Sequence, residues 1–94
     1  ERSLRPLLRQ AAPRLFAVSI NGADTAAEIQ SGKGKFIQPL DSGSFDLTTL
    51  MTVLKEHGYR GPIGLQCYGI PGDARDHLSR SIAAWRKMST LLAG

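Results

Sequence analysis

The residues with the chemistry to act on a ligand gather at the ends of two short apolar runs. Ser19 and Asn21 close the first run with Asp24 just beyond it, and Gln66 and Tyr68 close the second. Hydroxyls, carboxamides and a carboxylate in such places can hydrogen-bond the hydroxyl and carbonyl groups of a small polar molecule. Each also has a plainer use. Gln66 either touches a ligand hydroxyl or satisfies polar neighbours on a solvated strand end, and Ser19 and Asn21 divide the same way. Asp24 either binds a ligand hydroxyl or a metal, or is one of the carboxylates that surface loops commonly carry. Tyr68 either places its hydroxyl beside a ligand or seals an opening with its ring.

The other reactive groups read more simply. Gly32-Lys-Gly-Lys35 offers ammonium charge and glycine-rich backbone to a phosphate, but it lacks the Walker spacing and leads directly into no helix, so a solvated loop is the better reading. His57 and His77 fall at a helix end and on a helix, and both are expected at the surface. Cys67 alternates onto the apolar side of its run and is expected to be a buried, inert thiol with no disulfide partner. No Ser-His-Asp or Cys-His arrangement is legible.

Elements of regular structure must carry these groups. Leu15 to Asn21 reads as a strand, with Phe16, Val18 and Ile20 on one face and Ala17, Ser19 and Asn21 on the other. A second strand repeats the pattern: Ile63, Leu65 and Cys67 alternate with Gly64, Gln66 and Tyr68. Ser3 can cap a first helix striped by Leu4, Leu7, Leu8 and Ala11, and Pro13 ends it. From Gly22 to Phe45 the chain reads as loop, apart from an extended piece at Phe36 to Pro39. Asp46 caps a helix that buries Leu47, Leu50, Met51 and Leu54, and Gly58 stops it. After Asp73 a last helix carries Leu78, Ile82, Trp85, Met88 and Leu92 at three- and four-residue steps.

The order helix, strand, helix, strand, helix is that of an α/β protein with a parallel βαβ unit. Two parallel strands leave bare edges and half-covered faces, so the expected fold is larger than this chain. In a (β/α)8 barrel these would be two of the eight strands, with chemistry at the loops after their C-terminal ends.

At 94 residues, one core is the most the chain can bury. Twelve basic residues against eight acidic ones give a net charge of +4, but the cations are scattered and not interleaved with aromatics. That argues for solvated helix faces and against a nucleic-acid groove. No apolar run approaches the length that spans a bilayer, no secretory core is legible, and the one cysteine supports no secreted framework; a cytoplasmic protein with no membrane or nucleic-acid partner is expected. The first residue is Glu1 and not methionine, and a piece of a longer protein is expected.

Four segments carry a resemblance: Leu15-Phe-Ala-Val-Ser-Ile-Asn-Gly-Ala-Asp24, Ile37-Gln-Pro-Leu-Asp-Ser-Gly-Ser-Phe-Asp46, Gly58-Tyr-Arg-Gly-Pro-Ile-Gly-Leu-Gln66 and Ser81-Ile-Ala-Ala-Trp-Arg86. Together they resemble the C-terminal part of the sugar phosphate isomerase/epimerase family. The resemblance implies a xylose isomerase-like TIM barrel, of which residues 1–94 would be the C-terminal portion, about two βα units. It implies a sugar or sugar phosphate as substrate and proton transfer next to its carbonyl. It also implies a divalent metal (Mn, Mg, Co or Zn) held by acidic residues and a histidine at strand ends. In this chain the family's strand histidine falls at Ser19 and its last-strand glutamate at Gln66, both neutral and weak ligands. Asn21, Asp24, Gln66 and Tyr68 would be the substrate-binding residues. The alternative is a carbohydrate-binding barrel that has lost its metal ligands and its chemistry.

Overall fold

The computed structural model describes residues 4–93, so the cap expected at Ser3 lies outside the described residues. Helix α1 spans Leu4–Ala11 and gives way to a 3-10 turn over Ala12–Arg14. Pro13 sets that boundary, because it has no N–H to continue the α-helical ladder. Strand β1 spans Val18–Ile20, α2 Ala26–Gln30, α3 Leu47–Glu56, β2 Ile63–Leu65 and α4 Ala74–Ala93.

Helix α3 begins and ends for local reasons. The Asp46 carboxylate accepts the Thr49 N–H at 3.0 Å, satisfying one donor left open at the helix start. At the other end Gly58 adopts φ 73°, a left-handed conformation that glycine takes without a Cβ penalty. Its N–H reaches the Lys55 carbonyl at 2.9 Å, and the next N–H, from Tyr59, reaches the Leu54 carbonyl at 3.0 Å. This pair of bonds is a Schellman stop, and it turns the chain back toward β2.

Strands β1 and β2 pair in parallel, with Val18 opposite Ile63, Ser19 opposite Gly64 and Ile20 opposite Leu65. The Val18 N–H donates to the Pro62 carbonyl at 3.1 Å and the Gln66 N–H to the Ile20 carbonyl at 2.9 Å. The crossover between them carries α3, which makes this a βαβ unit. On one face Val18, Ile20 and Ile63 meet Met51 and Leu54 of α3 and Met88 of α4, with Leu40 and Leu47 completing the core. Helix α1 packs on α3, where Arg5 and Glu56 form an exposed ion pair at 2.7 Å. The opposite face of the sheet, with Ser19, Gly64 and Gln66, is exposed.

Several expectations need correction. The strands are shorter than the apolar runs: Leu15 to Ala17 lie outside β1, and Gln66 to Tyr68 lie outside β2. Phe16, expected on the core face, is 91% exposed because the chain there has not yet joined the sheet. Cys67 is half-buried and beyond the strand, not sealed in the core. The segment Gly22 to Phe45, expected as loop, contains helix α2, while the extended piece expected at Phe36 to Pro39 carries an antiparallel bridge from Gln38 to Gly22. The stripe of α4 is turned from its expected position. Its buried residues are His77, Ser81 and Met88, while Leu78 and Ile82 stand exposed. His77, expected at the surface, is therefore a core residue of α4; His57 is exposed.

Candidate functional site

Two surfaces carry the residues singled out in the sequence, and they use them differently. On the exposed sheet face Ser19 and Gly64 stand side by side: a Cβ built on Gly64 would meet nothing nearer than the Ser19 hydroxyl, at 3.9 Å. Glycine thus leaves this face flat and open beside the serine. Gln66 follows at the end of β2. Its backbone N–H completes the sheet, and its side-chain Oε1 accepts the Tyr68 N–H at 3.0 Å. That turn fixes the carboxamide and leaves its NH2 group without a protein partner among the described residues. Tyr68 projects beside it, 80% exposed. The Ser19 hydroxyl, the Gln66 NH2 and the Tyr68 hydroxyl are therefore neutral hydrogen-bonding groups free to meet a ligand.

Asn21 and Asp24 are occupied by the chain itself. The Asn21 Nδ2 donates to the carbonyls of Phe36, at 2.6 Å, and Gly22, at 2.7 Å. The Asp24 carboxylate is the clasp of the long β1–α3 connection. One oxygen accepts the Lys35 N–H at 2.9 Å and the Gln38 side-chain amide at 2.8 Å; the other accepts the Ser44 N–H at 3.1 Å. The Asp24 N–H returns a bond to the Lys35 carbonyl at 3.0 Å, and Phe45 N–H reaches Ala23 O at 2.9 Å. The Lys35 N–H above all holds this carboxyl below its ordinary value; desolvation, the next largest effect, opposes it, and the Ser44 and Gln38 donors add to the lowering. A carboxylate satisfied in this way positions a loop.

The Gly32 to Lys35 turn is closed to anions by the same economy. The N–H groups of Lys33 and Gly34 both bond the Glu28 carbonyl, and that of Lys35 bonds Asp24. No nest of free backbone donors is left for a phosphate, although the two ammonium groups remain exposed.

Helix α4 locks the far end of the connection. Ser81 Oγ accepts the Leu40 N–H at 3.0 Å, a bond buried in the core. Arg80 forks onto Asp41, Nε to one oxygen and Nη2 to the other, each at 3.0 Å, and also reaches Ser42 Oγ at 2.9 Å. The guanidinium lowers the Asp41 pKa, and the carboxylate raises that of Arg80. His77, one turn before Ser81, keeps its buried Nδ1 without a partner. The stripe of Leu78, Ile82, Trp85, Met88 and Leu92 left His77 at the surface, and only the three-dimensional fold shows that its side of the helix meets the core.

Among the described residues no cluster of three or more histidine, cysteine, aspartate or glutamate side chains stands ready to hold a metal ion. Ser19 and Gln66 do not fit a divalent cation by themselves: both are neutral, and the carbonyl of Gln66 is already engaged. Carboxylates from outside the described residues would have to supply that charge. What this face can do alone is orient hydroxyl and carbonyl oxygens by hydrogen bonds. Compared with protein-family models, with curated proteins and with solved structures, the chain has no match. No helix among the described residues is long and apolar enough to cross a membrane.

Proposed function

We propose that this chain forms two consecutive βα units of a (β/α)8 barrel of the sugar phosphate isomerase/epimerase type. Its open sheet face would line the site for a sugar or sugar phosphate. One observation carries the reading. The parallel register puts Ser19, Gly64 and Gln66 on the bare face, while the opposite face of the same two strands is packed under helices. That is the arrangement of barrel strands, whose inward ends meet the ligand. The role of this segment is to orient: Ser19 and the Gln66 NH2 hydrogen-bond substrate oxygens, and Tyr68 covers them. Proton transfer next to the carbonyl needs an acid and a base, and the free groups on this face are neutral, so other strands would supply both. Such a protein would work in the cytoplasm, where sugar phosphates are found.

The neutrality of Ser19 and Gln66, at positions where the resembled family carries ligands, supports a second reading, a carbohydrate-binding barrel without catalysis. One experiment separates them. The protein expressed from the complete reading frame, purified without chelator, is assayed for bound Mn, Co, Zn and Mg. It is also assayed for exchange of the substrate's carbon-bound proton with heavy water across a panel of aldose and ketose phosphates. Metal and exchange together support the epimerase. Saturable sugar binding by calorimetry without exchange supports the binding protein, and absence of all three refutes the proposal.

A further inference from the structure

Asn21 and Gln66 do the same thing at the ends of neighbouring strands: each uses its carboxamide to hold the backbone of an exposed aromatic residue. Asn21 follows Ile20, the last residue of β1, and its Nδ2 donates to the Phe36 carbonyl at 2.6 Å. Gln66 follows Leu65, the last residue of β2, and its Oε1 accepts the Tyr68 N–H at 3.0 Å. The Gln66 N–H in turn donates to the Ile20 carbonyl at 2.9 Å, so the two holders adjoin. Phe36 and Tyr68 are thus anchored to one place, the C-terminal end of the sheet, and they are 70% and 80% exposed.

An exposed phenylalanine alone is ordinary. Phe36 differs in how firmly its backbone is set. On one side the Lys35 N–H bonds the Asp24 carboxylate, and the Lys35 carbonyl accepts the Asp24 N–H. On the other, Gln38 pairs with Gly22 through both its N–H and its carbonyl, at 2.8 and 3.0 Å. Asn21 and Asp24, expected from the sequence to bind substrate, spend their hydrogen bonds on the segment that carries this ring.

The hydrogen-bonding groups left free on the sheet beside this end are neutral, the Ser19 hydroxyl and the Gln66 NH2. Here the end of the sheet differs from the groove of about 550 Å³ that forms a trough between β2 and α4, whose exposed walls are the apolar side chains of Leu65, Leu78 and Ile82. Aromatic faces next to neutral polar groups suit a molecule with C–H bonds on its flat side and hydroxyls at its rim, which describes a sugar ring. The negative face of the aromatic ring meets the polarised C–H bonds, and the amide and hydroxyl take the rim oxygens. Because the backbone of Phe36 is already set, little ordering is left to be done on binding.

The geometry points to Phe36 as a further binding residue, its ring stacked on the C–H face of a sugar, free or phosphorylated, whose hydroxyls meet Ser19 and Gln66. This rests on the sugar reading given above and adds to it a residue from the β1–α3 connection, with Asn21 and Asp24 as positioning residues.

Calorimetry on the protein from the complete reading frame tests it, with glucose, fructose, xylose and their phosphate esters as probes. For a probe that the unsubstituted protein binds, Phe36→Ala is expected to weaken binding about tenfold, and Phe36→Tyr, which keeps the flat face, to leave it within about twofold. Phe16→Ala, which removes an exposed ring from before the start of β1, is the control and leaves the affinity unchanged. Nuclear magnetic resonance on the unsubstituted protein with labelled phenylalanines gives a readout that no folding defect of a variant can imitate. The Phe36 ring signals shift on saturation with the bound probe, and those of Phe16 do not. Saturable binding with unshifted Phe36 signals, or with Phe36→Ala inside about twofold, overturns this inference and leaves the sugar reading standing. A loss with a phosphate ester where the free sugar, also bound, shows none would place the contact at the phosphate and overturns it too. Binding of none of the probes removes the sugar reading and this inference together.

Discussion

Replacing Ser81 by alanine removes one oxygen atom and asks how firmly α4 holds the loop that leads out of β1. The Ser81 hydroxyl is 2% exposed and accepts the N–H of Leu40, itself in the core, at 3.0 Å. The change from serine to alanine adds no volume and opens almost none, so packing is preserved. What changes is the Leu40 donor, which loses its partner in a place that water reaches poorly. An orphaned buried donor costs about 1–3 kcal/mol. Read through native-state exchange, that range corresponds to a Leu40 amide exchanging roughly 5- to 150-fold faster. Nuclear magnetic resonance on the protein from the complete reading frame measures it residue by residue. Ser79→Ala is the control: Ser79 is exposed, its hydroxyl makes no bond across the fold, and its replacement should stay within about 0.5 kcal/mol. If Leu40 exchanges within twofold of the unsubstituted protein in Ser81→Ala, water enters the groove and takes over the bond. The argument that this contact pins the loop would then be refuted.

Three further predictions concern the β1–α3 connection. Asp24→Asn keeps the shape of the clasp but turns one acceptor into an NH2 that faces N–H donors, so the Lys35 and Ser44 amides should lose protection while those of α3 keep theirs; equal protection would show that the clasp is not what holds the loop. The acid dependence has a definite sign: the Asp24, Asp41 and Asp46 carboxyls all titrate below their ordinary value, so each contributes stability that is present above the unfolded-state pKa of about 4 and is lost as pH falls through the lower folded value. The loop amides should therefore lose protection first below about pH 4, and a loop that loosens instead between pH 5 and 7 would contradict this. Gly22→Ala places a Cβ on the carbonyl oxygens of Pro39 and Ser42, both backbone atoms, so the bridge to Gln38 must break or shift. A loss of about 1–3 kcal/mol in denaturant unfolding is expected, and a change below 0.5 would mean that the loop yields freely.

The parts of this fold that were legible in the sequence are those decided by neighbours in the chain. Asp46 and Gly58 mark α3 because capping and the left-handed stop act over four residues, and the structure has them where the residue types put them. The alternation in the two strands was readable for the same reason, and it correctly separated Val18, Ile20 and Ile63 from Ser19, Gly64 and Gln66. What escaped was decided at a distance. Helix α2 is five residues long, too short to hold itself in water, and it sits in a connection tied together by Asp24 across gaps of 11 to 20 residues. The sequence left Asp24 open between ligand and loop, because a carboxylate after a strand is suited to either use; the donors at Lys35, Gln38 and Ser44, which come from 11 to 20 residues away, could not be read from its neighbours. His77 and Leu78 exchanged places because a helical stripe shows that one side is apolar but not where the sheet ends. Leu78 and Ile82 lie just past the edge of two strands.

That last misplacement connects the two open surfaces. A strand added beside β2 would present alternate residues to the two faces of the sheet. One set would drop into the trough along α4, against Leu78 and Ile82, and must be apolar. The other set would stand next to Gly64 and Gln66 and extend the polar face that begins with Ser19. Covering the groove and enlarging the candidate site would thus be consequences of one pairing event, because the residue period of a strand ties them together. The exposed leucine and isoleucine of α4 and the unused hydroxyl of Ser19 lie on opposite sides of the same two-stranded sheet. On the barrel reading proposed above, the hydrogen-bonding groups of Ser19, Gln66 and Tyr68 would make up one wall of a site, and the charged groups a reaction requires would stand on other strands.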